Sequence, residues 1–172
     1  MIIVKASDSG TPSRFAVVPV TVNILDVNDN VPLFEDTSRV AYVYENIVNA
    51  PVVSLLASDA DSTPNINFVL HDIGAKIDSN SFSVTTNGNR ANITVKGALD
   101  YETQNLYQFI LTTVDGQNSA SVFASATITI HVLDVNDNIP IIETFNSSVT
   151  IPETASVGSG LVAIPATDSD ST

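Results

Sequence analysis

Two copies of one acidic pentapeptide, Asp-Val-Asn-Asp-Asn, carry the side chains best suited to chemistry in this sequence. They occupy residues 26–30 and 134–138, and each is followed by an apolar residue and a proline. Carboxylates, amides and backbone carbonyls are hard oxygen ligands, of which Ca²⁺ takes about six to eight in flexible geometry. Because Mg²⁺ prefers a tighter octahedron with retained waters, the pentapeptides favour calcium.

The two pentapeptides, named here the first linker (26–30) and the second linker (134–138), belong to a long internal repeat. Asp26 and Asp134 are 108 positions apart, and Glu45 and Glu153 keep the same spacing. The pair Asp59-Ala60-Asp61 returns as Asp168-Ser169-Asp170, and Asp8 is matched by Asp115. A single Asn-Asp-Asn segment is typical of a turn. Its recurrence at a domain-sized period with the same acidic neighbours favours metal binding over a turn alone.

The elements that must position these acids are predicted to be short strands. Apolar residues alternate with polar ones at 18–24 and 126–132, which predicts strands with one buried face. Further alternating segments occur at 39–44, 81–85, 92–96 and 107–113, with turn-forming residues between them. About seven strands per repeat predict an all-β, seven-strand Greek-key sandwich of the immunoglobulin-like kind.

The repeat also predicts the domain organisation. We expect residues 1–32 to be the C-terminal part of one repeat ending in a calcium linker, residues 33–140 to be a complete repeat, and residues 141–172 to open the next. Both partial repeats are expected to be less stable, since each leaves part of a sandwich core uncovered.

Composition excludes several classes of protein. The 172 residues include 19 Asp or Glu and 6 Lys or Arg, which gives a net charge of -13. Six scattered bases supply neither the basic face that nucleic acids require nor the polybasic patch that binds anionic membranes. Hydrophobic residues make up 44% of the chain, so it is not expected to be disordered. There is no cysteine, which excludes disulfides and thiolate metal sites.

No pattern predicts an enzyme. Asp100 and Glu102 could form the carboxylate pair of a glycosidase, but they alternate on an extended segment, and the sequence has no tryptophan to build an aromatic cleft. His71 and His131 have no third nitrogen or sulfur partner in the sequence, so ordinary histidines are favoured over ligands. Asn92 and Asn146 begin N-glycosylation sequons, which is consistent with an extracellular protein.

The sequence resembles the extracellular cadherin repeat over its whole length. Matching elements are Glu45 in Tyr-Glu-Asn, the Asp-Ala-Asp of 59–61, the Leu-Asp-Tyr-Glu of 99–102, Asp115-Gly116 and the second linker. One departure is Thr113, at a position where the family often has alanine, and it is expected to matter little. The resemblance implies tandem sandwiches joined end to end, with three Ca²⁺ ions at each linker.

The resemblance also implies the ligands, including the backbone carbonyls of Asn30, Val135 and Asn138. For the second linker they are Glu45, Asp100, Glu102, Val135, Asn136, Asp137, Asn138, Asp168 and Asp170. For the first linker, where one weakly held ion is expected, they are Asn28, the Asn30 carbonyl, Asp59, Asp61 and Asp115, with the carbonyl of Asn65 as a further candidate. The same motifs hold five further candidate metal ligands, Asp8, Asp26, Asp29, Asp134 and Glu153. Asp26 and Asp134 rank below the others because either could instead accept backbone hydrogen bonds.

The charges fit this assignment. The six ligand carboxylates of the second linker carry six negative charges, which three divalent ions would balance. Without metal, each close pair would cost about 1 kcal/mol at ~4 Å even in water. We therefore expect calcium to convert a repelling hinge into a stiff joint.

The function implied by the resemblance is calcium-dependent cell-cell adhesion, with other cadherin ectodomains on adjacent cells as partners. The parent would be a single-pass protein with these repeats on the extracellular side of the plasma membrane. Two alternatives are a non-adhesive spacer or signalling-receptor ectodomain that uses the same linkers, and an accessory sandwich on a secreted enzyme.

Overall fold

The computed structural model describes residues 1–62, 65–73, 80–115, 123–145 and 147–171, with the backbone alone at Asp115. These residues form strands without any helix. The strands are β1 (Ile2–Ser7), β2 (Phe15–Val20), β3 (Leu33–Phe34), β4 (Ser38–Tyr44), β5 (Pro51–Ser58), β6 (Ile66–Asp72), β7 (Phe82–Asn87), β8 (Arg90–Val95), β9 (Leu106–Asp115), β10 (Ser125–Leu133), β11 (Ile141–Ile142) and β12 (Ala166–Thr167). No described segment is a helix long and apolar enough to cross a bilayer.

Strands β3 to β10 form a sandwich of two four-stranded sheets. One sheet has the order β4-β10-β9-β6 and the other has the order β3-β5-β8-β7. The successive strands β3 and β4 lie in different sheets, and β4 pairs in parallel with β10 while the other pairs are antiparallel. This arrangement confirms the predicted all-β, immunoglobulin-like Greek-key sandwich.

The core lies between these two sheets and follows from the alternation of side chains. Along β8, Ala91, Ile93 and Val95 point inward and are buried. From the adjoining sheet edge, Phe82 packs edge-on against the rings of Tyr107 and Phe109 at centroid distances of 5.0 and 5.4 Å. This core holds the two sheets together and thereby fixes the positions of the strand ends.

At the end of the sandwich near the first linker, a buried threonine ties three segments together. The Thr113 hydroxyl donates to the carbonyl of Pro32 at 3.4 Å and accepts the backbone N–H of Ala124 at 3.0 Å. Thr113 is fully buried. The hydroxyl therefore attaches Pro32, two residues after the first linker, to the sandwich. An alanine could not do so, and the expectation that this departure matters little is therefore incomplete.

The flanking segments differ from what the alternation in 18–24 predicts. Strand β2 ends at Val20, and Val18, Val22 and Ile24 are exposed rather than buried on one face. These side chains are exposed because β2 pairs with β1 and, among the described residues, no second sheet packs against this hairpin. The domain boundaries after residues 32 and 140 remain a prediction.

Candidate metal centre

At the opposite end of the sandwich, near the second linker, the inward face of β4 delivers a buried carboxylate. Ala41 and Val43 are buried core residues, and Glu45 is the next position in the same alternation, with only 1% of its surface exposed. Its Oε2 accepts the N–H of Tyr101 at 2.7 Å, and its Oε1 accepts the N–H of Val135 at 2.8 Å. Glu45 therefore fixes the linker to the segment that carries Glu102.

Two overlapping groups of carboxylates lie beside Glu45. In the first, carboxylate oxygens of Glu45, Glu102 and Asp137 all lie within 4.8 Å of one another. In the second, the same holds for Glu102, Asp134 and Asp170. Glu102 belongs to both groups, so acids from the sandwich, the linker and the following segment meet around one side chain. Like charges this close are expected to repel unless a cation lies between them.

The electrostatics of Glu102 reflect this crowding. A hydrogen bond with its own backbone N–H lowers the pKa of the Glu102 carboxyl, but desolvation and the negative charges of Glu45, Asp134 and Asp137 raise it, and the net pKa is above its ordinary value. The charged form of Glu102 is thus less favoured in the metal-free chain than in a free glutamate side chain.

Asn46 is a further contributor that the sequence did not reveal. Its backbone is left-handed, with φ of 60°, a conformation that asparagine tolerates better than most residues. Its N–H donates to the carbonyl of Leu99 at 3.2 Å, and its side-chain amide donates to the Asp137 carboxylate. Asn46 therefore links the ends of three acidic segments.

The second linker is also bound to the segment that follows it. The backbone and side-chain N–H groups of Asn138 donate to the Asp170 carboxylate, at 3.1 and 2.7 Å for the shorter contacts. The Asp170 N–H donates in turn to Asp168 at 3.1 Å. The backbone N–H of Ser171 donates to Asp134 Oδ2 at 2.6 Å, and its hydroxyl donates to the same oxygen. These Ser171 bonds hold the pKa of Asp134 below its ordinary value despite partial desolvation.

The first linker repeats this pattern bond for bond. Asn30 donates from its backbone and its side chain to Asp61, at 3.0 and 2.6 Å, and the N–H of Asp61 donates to Asp59 at 2.9 Å. The N–H and hydroxyl of Ser62 donate to Asp26 Oδ2 at 2.8 and 2.7 Å. Hydrogen bonds from Asn30 lower the pKa of Asp61. The two linkers thus share one local structure.

Two carboxylate oxygens at the linkers are suited to binding a hard cation. Asp59 Oδ2 and Asp134 Oδ1 are buried and have no hydrogen-bond partner among the described residues. Buried polar atoms normally have a partner, so each such oxygen calls for an explanation. Since the surrounding ligand atoms are carboxylate, amide and carbonyl oxygens, this group of ligands fits Ca²⁺.

Not every candidate ligand joins these groups. Asp100 lines the same cleft as Glu45 and Glu102, while its carboxylate accepts hydrogen bonds from the N–H and hydroxyl of Thr103 at 2.9 and 2.8 Å. Asp8 caps its own turn, accepting the N–H of Arg14 at 2.7 Å, a bond that lowers its pKa.

The remaining candidates lie in several places. Asn28 is half-buried, Asn136 and Glu153 are exposed, and Asp29 accepts a bond from the Asn30 side chain at 3.1 Å. Asn92 is half-buried in β8, and its glycosylation stays a prediction. The side chain of Asp115 and all of Asn146 lie outside the described residues.

The chain matches a known protein family over much of its length. Residues 39–133 match the cadherin domain, which is more than half of the chain. The chain belongs to the cadherin family. Human protocadherin alpha-6 is 32% identical over 99% of this chain, and human protocadherin Fat 1 is 35% identical over 98%. The chain spans only 18% of the first of these cadherins and 4% of the second.

Solved cadherin structures show the same fold. Mouse Cadherin-23 EC22-24 covers 99% of this chain at a TM-score of 0.75 and 32% identity, and the chain covers 53% of it. The extracellular cadherin domains 1-4 of Protocadherin Gamma B7 cover 99% at a TM-score of 0.72 and 26% identity, with 40% of that chain covered. The second of these structures is described as extracellular cadherin domains.

Proposed function

We propose that both linkers bind calcium and that the second linker uses it to join the complete cadherin repeat rigidly to the segment that follows. The observation that carries this proposal is the pair of carboxylate groups that share Glu102 and draw on both sides of the junction. One ion would be held by Glu45, Glu102 and Asp137, and another by Glu102, Asp134 and Asp170. The remaining ligands would come from Asp100, Asp168, Asn136 and the carbonyls of Val135 and Asn138.

At the first linker, one ion would be held by Asn28, the Asn30 carbonyl, Asp59, Asp61 and Asp115. The unpaired, buried Asp59 Oδ2 supports this assignment. Asp26 and Asp29 lie in the same linker, whereas Asp8 and Glu153 would serve neighbouring junctions. Free calcium is in the millimolar range outside cells, so linkers with the affinity of extracellular modules would be filled there.

The mechanism by which calcium would stiffen the joint depends on repulsion between the carboxylates of the second linker. In the metal-free chain the acids around Glu102 repel one another, and this repulsion opposes the hydrogen bonds that hold the linker to the end of the sandwich. The chemistry that calcium supplies is neutralisation of these charges and coordination of oxygens from both sides. Glu45 and Asn46 hold the linker in place for that coordination through their bonds to Val135 and Asp137. The joint is therefore expected to stiffen as calcium binds.

At the level of the whole protein, we infer a role in calcium-dependent cell-cell adhesion, with other cadherin ectodomains as partners. Membership of a family of adhesion proteins supports this inference over an enzymatic role. One of the structures that resembles this chain is described as a cis-dimer of protocadherin gammaB7 EC3-6, which shows that such repeats can contact one another. Domains 1–32, 33–140 and 141–172 remain the proposed units.

A spacer role is the second candidate. The similarity to Mouse Cadherin-23 EC22-24 favours it, because those repeats are numbered far along a long series. Beads coated with this chain distinguish the two roles. For an adhesive segment we expect clusters in calcium that disperse in EGTA. If the beads stay dispersed in both solutions, this segment is a spacer and the adhesive proposal fails for it.

A further inference from the structure

The serine that directly follows each Asp-x-Asp motif makes a contact that the proposed calcium ligands do not require. Ser62 and Ser171 each donate both their backbone N–H and their hydroxyl to a single oxygen, Oδ2, of the first linker aspartate, Asp26 or Asp134. The partners are 36 and 37 residues apart in the chain. Two donors from one residue therefore fix the aspartate carboxylate against rotation.

The second oxygen of Asp134 has the opposite environment. Asp134 Oδ1 is buried and has no hydrogen-bond partner among the described residues, while the carboxylate lies within 4.8 Å of the ligand oxygens of Glu102 and Asp170. One oxygen is thus held by the serine, and the other is buried without a hydrogen-bond partner among the described residues. A carboxylate divided in this way is oriented for a cation, as in metal sites where a hydrogen bond from outside the coordination sphere sets the ligand.

The same serine contact occurs at the first linker, where Ser62 binds Asp26 through its N–H and its hydroxyl. The contact is therefore a shared property of the two linkers and the segments after them.

We propose that Ser171 is a positioning residue for calcium at the second linker, holding Asp134 Oδ2 so that Oδ1 is left for the metal. This inference rests on the proposed calcium binding. The serine does not touch the metal in this arrangement, so its effect passes through Asp134.

The test is calorimetric titration of the whole chain with Ca²⁺ alone. Loss of a supporting hydrogen bond typically weakens metal binding about 10- to 100-fold, so we expect Ser171→Ala to weaken the second-linker affinity about 10-fold. Ser171→Thr keeps a hydroxyl and is expected to restore it. Ser169→Ala, a change at an exposed serine two positions away, is the matched control and is expected to bind like the unaltered chain.

A metal-free measurement separates positioning from general damage. In EGTA, the amide of residue 171 is expected to exchange with solvent faster in Ser171→Ala than in the unaltered chain, while the amides of β8 and β9 keep their protection. Equal calcium affinity in Ser171→Ala and the unaltered chain would overturn the inference alone. If the unaltered chain binds no calcium, the proposed function itself fails and the inference fails with it.

Discussion

Replacing Glu102 with glutamine is expected to have opposite effects with and without calcium. In calcium, Glu102→Gln should weaken binding at the second linker on the order of 100-fold, because both carboxylate groups lose their shared member. In EGTA, the same change should make the chain more stable, because it removes the charge that repels Glu45, Asp134 and Asp137.

The direction of the metal-free effect follows from the raised pKa of Glu102. The folded chain binds this proton more tightly than the unfolded chain, so its stability falls as pH rises from the ordinary pKa through the raised one. Glutamine removes that loss at neutral pH. Chemical denaturation at pH 7, in calcium and in EGTA, measures both effects. Glu143→Gln, an exposed acid outside the carboxylate groups, is the control. Destabilisation by Glu102→Gln in EGTA would show that charge repulsion at Glu102 does not destabilise the metal-free chain.

Replacing Glu45 with alanine is expected to damage both the fold and the joint. The N–H groups of Tyr101 and Val135 lose a charged acceptor, and the free energy of unfolding of the metal-free chain should fall by about 2 kcal/mol. Calcium should widen the difference from the unaltered chain, because the group formed with Glu102 and Asp137 loses its buried member. Urea unfolding in EGTA and in calcium measures the two contributions.

Glu35→Ala is a suitable control for that experiment. Glu35 is an exposed acid at the opposite end of the sandwich, and its contact with Leu56 is made by the backbone N–H, which alanine keeps. We expect its effect to stay within about 0.5 kcal/mol. If Glu45→Ala is no more harmful than Glu35→Ala in EGTA, the hydrogen bonds assigned to Glu45 do not hold the linker.

The fold could be predicted from the sequence where alternation and period were both clear. The segments 39–44, 81–85, 92–96 and 107–113 all fall within strands of the sandwich or overlap them closely. Strand β5 was less visible because its sequence is nearly continuous apolar residues, and several of its side chains are only half-buried. The buried position of Glu45 was implied by the inward alternation of β4, yet a carboxylate inside a sandwich end is an exception to the usual preference for apolar residues.

The candidate site could be predicted only as far as the repeat defined it. The 108-residue spacing revealed both pentapeptides and most of their acidic neighbours. The structure places Glu45, Glu102 and Asp137 in one group and Glu102, Asp134 and Asp170 in another. The supporting contacts of Asn46 and Ser171 were not visible because they join residues 91 and 37 positions apart. Asparagine and serine are also common in turns, so their composition carries no such signal.

Stiffening of the joint by calcium is measured most directly by the distance between the sandwich and the segment that follows the second linker. Because the sequence has no cysteine, Thr86→Cys and Ala163→Cys give two unique positions for spin labels. Both residues are exposed, and neither belongs to the linker. In calcium we expect one narrow distribution of label distances, and in EGTA a broad one that narrows again when calcium is restored. Distributions of equal width in calcium and in EGTA would contradict the claim that calcium stiffens this joint.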